Sequence, residues 1–149
     1  MDITPYRLGA VLLTLLVLPA PTTALADPAP VPARHRHSAA EISDFLTSFY
    51  GHHGPSERDR EQKVSQQLKD RQGQSRYMDV LLCVRSESRD GARSEPQDIV
   101  IGPVTVAQSA KVGWATVTTH WSPEETDTFT VYVRLDSRPI KIDDVICAG

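Results

Sequence analysis

The apolar residues of this chain change period partway along it, and that change limits the fold more than any other feature. Up to Gly73 they recur at helical spacing, whereas beyond Asp98 they recur at every second position. Ser38-Ala39-Ala40-Glu41 has the form of a capping box, in which the serine hydroxyl and the glutamate each satisfy an orphan backbone N–H. Ile42, Phe45, Leu46 and Phe49 then lie at i, i+3, i+4 and i+7, giving a helix with one apolar stripe that Gly54-Pro55 ends. Ser56 caps a second helix running to Gly73. Glu57, Asp59 and Glu61 stand near its start and Lys69 and Arg71 near its end, as the macrodipole favours. With only Val64 and Leu68 as an apolar edge, this helix is expected on the surface. Tyr77 to Val84 is compatible with a buried strand or helix, and the spacing of Tyr77, Leu81 and Val84 favours helix.

After a charged loop from Ser86 to Asp98, Ile99 to Val106 and Val112 to Trp121 read as strands rich in β-branched residues. Phe129, Val131, Val133 and Leu135 alternate with Thr130, Tyr132 and Arg134, the pattern of a half-buried strand. Asp136-Ser137-Arg138-Pro139 turns the chain into a last strand from Ile140 to Ile146, and Gly113 beside Trp114 suggests a bulge. Helices first and an antiparallel meander afterwards define an α+β architecture, with the N-terminal helices packed on a curved four-stranded sheet.

Ahead of this domain, residues 1–26 have the order of a secretory signal: a short polar start, an apolar run from Leu8 to Leu18, and Ala24-Leu25-Ala26 as a small-x-small cleavage site. The run would span roughly 17 Å as a helix, against about 20 apolar residues for a membrane crossing. No cysteine follows the cleavage site to take a lipid, so no membrane anchor is expected. Residues 27–37 (DPAPVPARHRH) form a proline-rich tether, and residues 38–149 a single domain. Asp2 and Arg7 cancel, so the exported portion keeps the net charge of −3. It has no basic stripe for nucleic acid. The expected location is periplasmic or secreted.

The segments ISDFLTSFYGHH and IKIDDVIC, together with the order of helices, cysteine-bearing region and four strands, resemble the uncharacterised bacterial YbjP/YqhG-type domain. The resemblance spans about Ser38 to Cys147. It implies a cone-shaped fold similar to nuclear transport factor 2 and ketosteroid isomerase, and an envelope location. Ile140 stands where the family pattern carries a larger residue, and the family has no settled activity.

Cys83 and Cys147 are expected to pair in an oxidising compartment. A structural clamp is favoured over a redox-active thiol, because no CxxC spacing or adjacent base is present. On the last strand Asp144 is expected to share a face with Ile140, Ile142 and Ile146, since alternate residues point the same way. That placement makes it the candidate general base of an apolar pocket, with Tyr50 or Tyr132 as donor; the alternative is a carboxylate satisfied by backbone N–H groups or by an arginine such as Arg76. His120 and Trp121 at the end of a strand are candidate contact residues. His35, His37, His52, His53 and His120 lack metal-ligand spacing, so no metal and no cofactor is expected. No nucleophile elbow or phosphate-cradling loop is present. The expected function is a non-enzymatic binding module for a protein partner or a small apolar ligand, such as an envelope inhibitor or immunity-type protein. Its alternative is a small-pocket enzyme that moves a proton with Asp144.

Overall fold

The computed structural model describes residues 36–85 and 95–148, which belong to the unit from Arg34 to Gly149. Residues 1–26 expected as a signal sequence, residues 27–35 of the expected tether and residues 86–94 of the expected charged loop lie outside the described residues.

Helix α1 (Ala39–Tyr50) starts as its capping box requires: Glu41 N–H donates to Ser38 Oγ (3.2 Å) and Ser38 N–H to Glu41 Oε2 (2.7 Å). It ends at Gly51, whose φ of 51° suits glycine, and so stops short of Gly54-Pro55. Ile42, Leu46 and Phe49 are buried, with Phe45 partly so.

The second helix does not run unbroken. It divides into α2 (Glu57–Gln62) and α3 (Gln66–Gln74), because residues 63–65 leave the helical path to pair with the start of the last strand. Ile142 N–H donates to the Lys63 carbonyl and Ser65 N–H to the Ile142 carbonyl, both at 2.8 Å. Ser65 then recaps the chain, accepting from Leu68 N–H at 3.3 Å. The break turns Val64 and Leu68 into the core, 2% and 1% exposed, rather than leaving them on a surface edge.

Residues 77–84 are not a helix. They form a small hairpin of β1 (Met78–Asp79) and β2 (Val84–Arg85), with Val80, Leu81 and Leu82 buried in its turn. Side-chain bonds displace the helical ladder here: Asp79 accepts from Leu81 N–H (3.0 Å), while Gln72 accepts from Val80 N–H and donates to the Met78 carbonyl.

The main sheet is antiparallel, with β3 (Asp98–Ile101) and β4 (Thr105–Ala107) both pairing with β5 (Val112–Ser122), followed by β6 (Glu125–Arg134) and β7 (Ile142–Cys147). The four expected strands are present, the first split where Gly102-Pro103 bulges out: residues 102–104 face only Ala115 and Thr116. Gly113 is regularly paired and marks a close approach instead of a bulge. A Cβ there would stand 2.6 Å from Ile42 Cδ1, so α1 rests directly on the sheet at this point. Ala115, Val117, Phe129, Val131, Val133, Ile142 and Val145 complete the core beneath α1. Cys83 and Cys147 form a disulfide with Cα atoms 5.4 Å apart, tying the hairpin to the end of β7.

Candidate functional site

The face of the main sheet that points away from the core carries most of the residues singled out from the sequence. Side chains alternate along β5 and β6, so Gly113, Ala115 and Val117 point inward while Trp114, Thr116 and Thr118 point outward. Register aligns Thr105, Trp114, Tyr132 and Asp144 in one row across four strands. The next rows are Thr116–Thr130–Ile146 and Val100–Thr118–Thr128. Trp114 and Tyr132 lie with ring centroids 6.3 Å apart and planes 31° from parallel, forming a shared aromatic platform. Val100 is 48% and Ile146 53% exposed, high values for large apolar side chains.

Asp144 belongs to this outer face and not to the core. The register slips between Tyr132 and Val133, so that Asp144 opposes Tyr132 while Ile142 opposes Val133 and Asp143 is the extra residue. This bulge breaks the alternation from which a carboxylate among isoleucines was expected: Ile142 and Val145 point inward, and Asp144 and Ile146 do not. The Asp144 carboxylate sits 2.7 Å from the Arg71 guanidinium, which also donates to the Val145 carbonyl at 2.8 Å. The partner arginine is therefore Arg71 and not Arg76. Both side chains are about two-fifths exposed, at 43% and 40%, so water screens the pair.

The other candidates separate. Tyr50 is wholly buried, its hydroxyl donating to the Leu81 carbonyl at 3.2 Å, its ring against Phe49 and Phe129. Burial pushes its pKa well above the ordinary tyrosine value, and the nearby Asp79 carboxylate pushes it further. It lies on the other side of the sheet from Tyr132 and cannot act with Asp144. His120 is on the outer face, level with Asp98 and Thr126, at the far end from the aromatic pair. Trp121 occupies a bulge in β5 and packs partly against the core, its indole N–H donating to Asp127 Oδ2 at 3.1 Å. His52 Nδ1 lies 2.9 Å from Asp98 Oδ1 and holds that carboxyl below the usual range, while His53 Nδ1 meets the Pro96 carbonyl. His37 anchors the end of the tether at the Leu135 and Ser137 carbonyls.

Two features escaped the sequence. Trp114 has the same outward parity in β5 as Tyr132 in β6, a signal present in the alternation once the two strands are aligned. Among the described residues the buried carboxylate is Asp79, 2% exposed, met by the Arg60 guanidinium at 2.8 and 3.1 Å. No local pattern announces that pair, since Arg60 reads as one more charge on a polar helix.

No family model, no curated protein and no solved structure matches this chain. Among the described residues no helix is long and apolar enough to cross a membrane.

Proposed function

We propose that this protein is an exported, non-enzymatic binding module that recognises a protein partner through the outer face of its main sheet, as an envelope inhibitor or immunity-type protein does. One observation carries the reading. The face opposite the core presents the Trp114–Tyr132 platform together with exposed Val100 and Ile146, and the Arg71–Asp144 pair lies at its margin. Tryptophan, tyrosine and arginine are the residue types enriched where recognition patches bind their partners most tightly. The disulfide supports an oxidising, extracytoplasmic compartment, periplasmic or secreted. The order of helices followed by antiparallel strands supports a cone of the nuclear transport factor 2 kind. Proton transfer by Asp144 needs a low-dielectric setting, and solvent and Arg71 take its place here.

Photo-crosslinking residues placed at Thr116 and Ile146 test the reading in the producing cell, with exposed Gln67 of α3 as control. A single adduct of defined mass from the two sheet positions, absent from Gln67 and lost in Trp114→Ala/Tyr132→Ala, is expected. Equal labelling at all three positions, no adduct at the sheet positions, or an adduct formed only with a second copy of the chain overturns it.

A further inference from the structure

Between α2 and α3 lies a cleft of about 240 Å³, away from the outer sheet face. Its floor is aliphatic: Val64 from the helix break, Leu68 from α3 and Leu81 from the hairpin turn, each almost wholly withdrawn from the surface of the chain. Its rim is charged, but most of the charges are already spent. Arg60 is committed to Asp79 and to the Pro55 carbonyl. Lys69 is committed to the Glu61 carboxylate and main-chain carbonyl. Both ends of the Gln72 amide are used by the hairpin. Glu57 differs, since it has no ion pair or hydrogen bond among the described residues. The cleft thus combines an apolar floor with one uncompensated negative charge at its mouth.

We propose that this cleft is a ligand site for a small alkylammonium ion, a short branched hydrocarbon chain carrying one protonated amine. The volume is below the roughly 300–1,000 Å³ that drug-sized ligands occupy, and suits a single short chain. Withdrawing the ligand's own hydrocarbon surface from water over Val64, Leu68 and Leu81 supplies the binding free energy. The ammonium group stays at the mouth beside Glu57, half in water, so that no charge is desolvated without a partner. A carboxylate of the same shape meets the Glu57 charge and is repelled.

An amide NMR titration of the protein with isoamylammonium, isoamyl alcohol and isovalerate tests this. Saturable, millimolar binding of isoamylammonium is expected, with shifts centred on α2, α3 and the hairpin turn. The alcohol should bind about fivefold more weakly, the gain of one partly exposed ion pair, and isovalerate more weakly still. Glu57→Gln should lower the affinity for the amine to that for the alcohol and leave the alcohol unchanged. Gly73 lines the cleft and a Cβ added there meets nothing within 4 Å, so Gly73→Leu should fold normally yet block both ligands. Non-saturating shifts, amine and isovalerate binding equally, or full binding by a folded Gly73→Leu overturns the proposal.

Discussion

Two aspartates with similar sequence surroundings have opposite energetic standing, because one ion pair is buried and the other is wet. Asp79 and Arg60 have side chains 2% and 12% exposed, whereas Asp144 and Arg71 are about two-fifths exposed. Removing one member of a buried pair strands the other charge, at a cost of about 3–5 kcal/mol. Arg60→Ala should therefore lower unfolding stability by about that amount in a denaturant titration, while Asp144→Ala changes it by no more than ~1 kcal/mol. Tyr50 adds a pH dependence. Its pKa is raised in the folded state, so its contribution is complete below the ordinary tyrosine value of about 10 and declines as pH rises beyond it. Tyr50→Phe should cost about 1 kcal/mol at neutral pH through the lost bond to Leu81. It should also move the onset of alkaline unfolding to higher pH, measured as a melting-temperature profile. An unchanged alkaline limb would show that another group governs it.

At the scale of elements, two glycines make opposite predictions. Gly73 lies within α3 with open space where a Cβ would go, so Gly73→Ala should stabilise the protein by about 0.5–1 kcal/mol through helix propensity alone. Gly113 lies under α1, and a Cβ there would press on Ile42 Cδ1, itself fully buried. Gly113→Ala should destabilise by about 1–3 kcal/mol, and Ile42→Val, which removes that methyl, should return part of the loss. Additive effects in this double variant would mean that the contact does not set the spacing of α1 on the sheet. Elements defined by their own residues were readable from the sequence: α1 from its capping box and stripe, β6 from strict alternation. Elements shaped by distant partners were not. The 63–65 break requires Ile142, the 78–85 hairpin requires Gln72 and Arg60, and the bulge at Asp143 shows itself only against Tyr132 and Val133.

For the molecule as a whole, the disulfide matters most where the hairpin meets the sheet. It joins residues 64 apart in sequence, which in the chain-entropy picture stabilises by about 4 kcal/mol. A Cys83→Ser/Cys147→Ser variant should lose about that much stability by denaturant unfolding while keeping the far-ultraviolet circular dichroism of the native sheet. Loss of β-structure at zero denaturant would show that the clamp is needed to fold and not only to stabilise. The proposed recognition face is centred on β5, β6 and β7 and the proposed cleft on α2 and α3, with only Arg71 of α3 reaching the face, so substitutions at Tyr132 and at Glu57 should be independent in binding assays.

The sequence by itself determined the α+β order, the first helix and its cap, the half-buried strand, the pairing of the cysteines and the candidacy of Tyr132 and Asp144, because each rests on neighbours within a few residues or on the chemistry of a residue type. Only the tertiary structure decided which way Asp144 points, that Val64 and Leu68 enter the core, and that Arg60 meets Asp79. A one-residue bulge reverses the facing of the strand beyond it, and a backbone bond from β7 breaks a helix that local propensity would continue. Both effects come from partners on other elements, beyond the reach of any local pattern.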